Sequence, residues 1–250
     1  MARSAASTRP VGTTASPEEV ARFQAMAEAW WDPLGEFKPL HQLNPPRLSF
    51  LSDRLARHFG RDATAERPFA GLTLLDVGCG GGLLSEPMAR LGFAVTGIDA
   101  GDKNIAVARL HAEKSGLPID YRSATPEELS DGYDVVMAME VVEHVPDVGA
   151  FLAATAQRLK PGGAFVGATV NRTAKSFALA IVGAEYVLRW LPRGTHDWRK
   201  FLRPSEFAAA LRRAGIQSKQ FEGVRYDLLH DRWERCSNLD VNYLVYGVKG

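Results

Sequence analysis

The sequence predicts an α/β fold: a mostly parallel sheet of seven strands with helices on both faces. Three observations predict it. Short apolar runs alternate with helix-period segments through the middle of the chain, the first run ends in a glycine cluster, and the second ends in an acid twenty-one positions after the first of those glycines. Repeated strand–helix units of this length imply right-handed crossovers between parallel neighbours.

Composition sets the outer bounds. The 250 residues are 46% hydrophobic and 24% charged, with 30 Lys and Arg against 29 Asp and Glu. That excludes disordered, collagen-like and coiled-coil chains, which need strong compositional bias, and the net charge of +1 argues against a nucleic-acid binder. Cys79 and Cys236 read as incidental thiols of a reducing compartment. No apolar stretch reaches the roughly eighteen residues that a membrane-spanning helix needs.

Taken in order, residues 1–16 are small and polar, with two arginines and no acid. Their Arg/Ser bias faintly suggests a transit peptide; without an amphipathic helix a disordered tail is the preferred reading. Residues 17–250 read as one domain. Ser16, Pro17, Glu18 and Glu19 make a helix start, and Val20, Phe23, Ala27 and Trp30 or Trp31 mark one face. From Trp30 to Leu48 prolines and aromatics crowd together, and the prolines predict an irregular strap or lid rather than helix, completing an N-terminal unit over 17–60.

Strands are expected over Leu72–Val77, Ala94–Ile98, Ile119–Ser123, Tyr133–Met139, Ala164–Val170, Ile216–Phe221 and Val241–Val248. Helices are expected over Leu83–Leu91, Lys103–Ser115, closed by Gly116, and Val148–Leu159, stopped by Lys160-Pro161-Gly162-Gly163.

The strongest local motif is Leu75-Asp76-Val77-Gly78-Cys79-Gly80-Gly81-Gly82, at the turn from first strand to first helix. Gly78 and Gly80 begin a dinucleotide fingerprint, yet its third position falls on Leu83. Asp76 at the strand end would repel a pyrophosphate and welcome ammonium and sulfonium charge, the pattern carried by S-adenosylmethionine. Asp99 ends the next strand, where an acid can accept from ribose hydroxyls or merely cap a helix. Together these residues favour a Rossmann-like S-adenosylmethionine-dependent methyltransferase over a dehydrogenase.

The fourth strand runs into Glu140, Glu143 and His144, spaced i, i+3 and i+4. One helical turn would point all three the same way, giving either a divalent-cation site or a general base. The bland alternative is a polar helix start. Methyl transfer to a phenol makes the cluster useful, because a phenol of pKa near 10 is protonated at neutrality. His196, in Gly194-Thr195-His196-Asp197-Trp198, is the second candidate base, with a structural histidine as its alternative.

Residues 171–204 form a long insertion before the last strands. Seven basic residues stand there against Glu185 and Asp197, a local charge of +5 that leaves −4 for the remainder. Phe177, Ile181, Ala184, Leu188 and Leu191 recur at helical spacing. Such a stripe suits a lid, and a basic, aromatic-bearing one also suits an anionic membrane surface.

Trp30-Trp31-Asp32, Gly35 to His41, Asn44-Pro45-Pro46-Arg47-Leu48, the glycine turn, Met139-Glu140 with Glu143 to Asp147, Lys160 to Gly163, Val182 to Tyr186, Gly194 to Asp197 and Asp240 to Tyr243 together resemble the UbiG family, the O-methyltransferases of ubiquinone biosynthesis. The resemblance runs from about Val20 to the end of the chain, and the Trp-Trp-Asp and Val-Gly-Ala-Glu-Tyr stretches are its most specific parts. It implies O-methylation of both a 2-polyprenyl-6-hydroxyphenol and a 3-demethylubiquinol. It implies cofactor contacts at Arg47, with the methionyl carboxylate, at Gly78 and Asp99, and at Met139, beside the adenine; Asp76 and Gly80 join them from the motif itself. It further implies Mg²⁺ held by Glu140, Glu143 and His144. The polyprenyl tail favours the inner face of a cytoplasmic membrane over a mitochondrial matrix, and other ubiquinone-biosynthesis proteins as partners. A methyltransferase for another small phenol and a non-catalytic cofactor-binding subunit are the alternatives; the acidic-histidine cluster speaks against the second.

Overall fold

A computed structural model describes residues 14–35, 37–177, 197–227 and 229–250, and of residues 23–25 only the backbone. At its centre is an eight-stranded sheet ordered β3-β2-β1-β4-β5-β8-β6-β7. The first five of these, β1 (Thr73–Val77), β2 (Ala94–Asp99), β3 (Asp120–Ser123), β4 (Tyr133–Met139) and β5 (Leu159–Val170), run parallel. β6 (Ile216–Asp227), β7 (Arg232–Cys236) and β8 (Asn242–Lys249) close the other side with antiparallel pairings.

Alternation along the strands sends side chains to two cores. Leu75, Val77, Val136 and Ala138 meet helices α5 (Val148–Gln157) and α7 (Pro204–Arg213) on one face. Leu74, Val135, Met137 and Met139 meet α2 (Lys38–Phe59) and α3 (Ser85–Arg90) on the other. A smaller cluster joins α4 (Asp102–Lys114) to Tyr121 and Cys79. Before α2 come α1 (Pro17–Ala25) and a short 3-10 turn at Ala27–Ala29; a three-residue α6 (Ala174–Ser176) follows β5. The insertion expected over 171–204 lies mostly outside the described residues. Its described ends carry Arg172, Lys175, Arg199 and Lys200 in ion pairs with Glu206, Asp240, Asp197 and Glu19.

Three expectations are corrected. The proline-rich stretch from Lys38 onward is helix: α2 runs 22 residues with Pro45 and Pro46 inside it. An internal proline costs roughly 3 kcal/mol. Burying Leu43, Phe50, Leu51 and Leu55 on the sheet stabilises by roughly 1.5–3 kcal/mol per side chain, and the sum of burial prevails. Asn44 also pins this region by donating to Leu83 O at 3.2 Å.

The sheet has eight strands rather than seven. β6 is twice its expected length and folds back into β7, whose Arg235 reaches α2 at Ser49 Oγ (3.0 Å) and Asp53 (2.5 Å). Arg232-Trp233-Glu234-Arg235-Cys236 carries no apolar alternation, so only its ladder and this helix contact reveal it as a strand. The Lys160–Gly163 stop lies within β5: Tyr133 pairs with Leu159, the register shifts, and regular pairing resumes at Val135 with Ala164.

Candidate active site

A cavity of about 250 Å³ opens where β1, β2 and β4 end beneath the N-terminal segment. Arg47, Asp76, Gly78, Gly80, Asp99, Met139, Glu140, Glu143 and His144 all line it. His196 lies outside the described residues.

At the end of β1 the chain turns so tightly that Gly78 and Cys79 N–H groups both donate to Ile98 O, at 2.8 and 2.9 Å. Gly78 and Gly80 have φ of 71° and 53°, the left-handed region that glycine enters without penalty. A Cβ on Gly80 would stand 2.4 Å from the Trp30 ring. Gly80 and Gly81 therefore admit an aromatic side chain, and Gly78 the side chain of Val141: Trp30 lies over Gly80 and Gly81, stacked on Phe37 at 3.9 Å and donating from Nε1 to Asn104 Oδ1 at 3.0 Å. Trp31 Nε1 donates to Gly81 O at 2.8 Å and its ring stacks on His111. Trp30 and Trp31 thus cover the glycine turn.

Asp99 accepts from Gly80 N at 3.0 Å, Gly101 N at 2.8 Å and Asn104 Nδ2 at 3.1 Å. It therefore serves the start of α4 as well as facing the cavity. A carboxylate offers about four lone-pair sites, so three donors leave capacity for a ligand hydroxyl. Burial raises its pKa against the pull of these donors. Asp76 is buried in β1 and accepts from Ser85 Oγ at 2.6 Å. Burial first, and Asp99 after it, push this carboxyl up to about 7.

The end of β4 is arranged otherwise than the spacing predicts. Glu140 N still donates to Ala168 O at 3.0 Å, but Glu140 then adopts φ 55° and no helical turn follows. Its side chain pairs with Arg47 at 2.8 Å. Glu143 is buried, accepts from Thr169 Oγ1 at 2.8 Å and has the Glu140 carboxylate as its acidic neighbour. Burial and the charge of Glu140 raise its pKa far above the carboxylate range. His144 faces Glu19 of α1 at 3.4 Å, and hydrogen bonding with His144 is the largest influence holding Glu19 at about 2.

The three side chains expected to point together thus do not converge: Glu140 and Glu143 are neighbours, but their closest partners are Arg47 and Thr169, and His144 turns to Glu19. Among the described residues no group of three or more His, Cys, Asp or Glu side chains is placed to hold a metal ion. The arrangement does not fit a three-ligand Mg²⁺ site, and it can instead take up or relay a proton. Glu19, Thr169, Ser85 and Asn104 are parts of the site that sequence reasoning missed. Only Glu19 had a signal, as an acid in the first turn of a helix, and that signal points to a dipole role.

Charge completes the picture. Among the described residues, five carboxylates line the cavity, those of Glu19, Asp76, Asp99, Glu140 and Glu143, and one arginine. Such walls suit a ligand with cationic groups and a single carboxylate of its own.

A methyltransferase-domain family model matches residues 40–219. The chain is 68% identical to a ubiquinone biosynthesis O-methyltransferase of Paramagnetospirillum magneticum over 95% of its length and 96% of the relative's. It is 55% identical to a relative of the same name from Chelativorans sp., with 95% of each chain covered. Among solved structures it is similar to magnesium protoporphyrin IX methyltransferase from Synechocystis, crystallised with bound SAH, at TM-score 0.64 and 16% identity over 93% of this chain and all of that one. At that identity the likeness concerns the fold.

Proposed function

Because the chain belongs to the ubiquinone biosynthesis O-methyltransferases, we propose that it carries out both O-methylations of that pathway, on a 2-polyprenyl-6-hydroxyphenol and on a 3-demethylubiquinol. S-adenosylmethionine-dependent O-methyl transfer in ubiquinone biosynthesis is the activity its family membership carries. The observation that supports the site is the convergence of nine expected residues on one cavity with five carboxylates and one arginine.

S-adenosylmethionine supplies a methyl group on a sulfonium centre. The backbone at Gly78 and Gly80 gives the cofactor close approach, and Asp99 accepts from its ribose. Arg47 takes its carboxylate, Asp76 its ammonium, and Met139 packs beside its adenine. The acceptor phenol then needs alignment and loss of a proton. Glu140, Glu143 and His144, on the β4 side, handle that proton, with Glu19 orienting His144.

Magnesium rests on the resemblance alone, and no step above runs through it. A membrane partner rests on residues 171–204: four of the described cations there, Arg172, Lys175, Arg199 and Lys200, are paired within the chain, so the membrane contact falls to exposed Arg203 and to Arg189 and Arg193, which lie outside the described residues. Among the described residues no helix is long and apolar enough to cross a membrane.

One assay tests these parts separately. Methyl transfer to a short-chain demethylubiquinol is measured with EDTA and with Mg²⁺, then to a long-chain substrate in anionic or zwitterionic vesicles. Turnover with the short-chain acceptor is expected; its absence sinks the substrate reading. Indifference to chelator removes the metal, and equal rates from both vesicle types remove the membrane contact.

A further inference from the structure

Among the described residues lining the cavity, the single arginine is already engaged. Arg47 is 3% exposed, sits in the middle of α2 among side chains packed on the sheet, and holds Glu140 at 2.8 Å across 93 residues of chain. Its guanidinium cannot follow a ligand outward. Glu140 is differently placed: its side chain is 20% exposed, and it stands in the turn after β4 at φ 55°, a backbone setting that a non-glycine residue holds at a cost. Of the two partners, Glu140 is the one free to move.

We infer that Glu140 occupies, on Arg47, the place of the cofactor's own carboxylate, and that cofactor binding is an exchange of one carboxylate for the other. The inference rests on the proposed function, in which Arg47 receives the methionyl carboxylate. Leaving a buried guanidinium unpaired is strongly unfavourable, so the internal carboxylate keeps Arg47 paired until the external one arrives. A ligand without a carboxylate has nothing to exchange and leaves the Arg47–Glu140 pair intact. Glu140 released in this way stands beside Glu143 on the acceptor side of the cavity. Cofactor binding thus precedes the availability of Glu140 to the acceptor.

Calorimetric titration of wild type and Glu140→Gln with two ligands tests the exchange. S-adenosylhomocysteine carries the carboxylate, and 5′-methylthioadenosine shares the nucleoside and thioether without it. The expected result is that Glu140→Gln binds S-adenosylhomocysteine about tenfold more tightly, equivalent to ~1.4 kcal/mol, while 5′-methylthioadenosine changes by less than about twofold. A general loosening of the cavity would move both ligands alike, and that outcome overturns the exchange. So does unchanged or weaker S-adenosylhomocysteine binding, which would mean that Glu140 assists the bound cofactor. If wild type binds neither ligand, the reading of the cavity as a cofactor site fails and takes the exchange with it. Glu140→Asp, which retracts the charge by one methylene, provides the same ligand comparison should the amide variant not fold.

Discussion

At the ends of β1 and β2 the carboxylates of the cavity find partners close by in the chain, whereas at the end of β4 the ionisable groups reach far across it. Asp99 is bonded to Gly101, Asn104 and Gly80, and Asp76 to Ser85, all within nineteen residues. Glu140 is bonded to Arg47 across 93 residues, Glu143 to Thr169 across 26, and His144 faces Glu19 of α1. One side of the cavity is therefore a local turn, specified by its own glycines and acids. The other is an assembly of α1, α2 and β5 around a single bend. Local specification makes the first side rigid before a ligand arrives; the second depends on ion pairs that a ligand can replace.

This contrast is open to direct attack. The largest effect is expected from Asp99→Ala, which removes the acceptor of three donors on the local side. Cofactor affinity should fall roughly ten- to a hundredfold, since a hydrogen bond to a charged group contributes roughly 1.5–3 kcal/mol. Retained affinity by calorimetry would take Asp99 out of the site. Next is Gly80→Ala, which puts a Cβ at φ 53° and 2.4 Å from the Trp30 ring. Denaturant melts should show a loss of about 2 kcal/mol from strain and displacement of the strap. An unchanged midpoint would mean that Trp30 is loosely held and that the local side is less rigid than its hydrogen bonds imply.

The last test concerns pH. The Asp76 carboxyl is raised in the folded state to about 7, so between the ordinary carboxyl range and that value the folded chain holds a proton that the unfolded chain has lost. Stability contributed by the protonated group is full below about pH 4 and declines as pH rises toward 7. Asp76→Asn should flatten that part of the stability curve, measured as melting temperature across about pH 4.5 to 7.5. A slope identical to wild type would show that Asp76 is ionised in the folded protein and belongs with the charge-paired side instead.

How far the sequence could be read follows the same division. Tyr133–Met139 was legible to the residue, and the strands before it to within one or two, because each is an apolar run bounded by turn residues. α2 was misread because a proline's local cost is visible in sequence, and the burial of Phe50, Leu51 and Leu55 that outweighs it is not. β7 was missed because all its residues but Cys236 are charged or aromatic, and its place is set by pairing with β6 and by Arg235 against α2. Trp30 was legible as part of a strap and illegible as the ring that covers Gly80.

The amino-acid sequence by itself determined the succession of βα units, the glycine turn and the position of Asp99 at the end of β2, since period-two alternation, glycine's access to positive φ and the spacing from turn to acid are local properties. Only the tertiary structure decided where Glu140, Glu143 and His144 point. Their i, i+3, i+4 spacing would align them on a helix, but Glu140 takes the left-handed conformation and the helix never starts. Each side chain then goes to the partner that compensates its burial or charge, and those partners, Arg47, Thr169 and Glu19, are brought there by the fold.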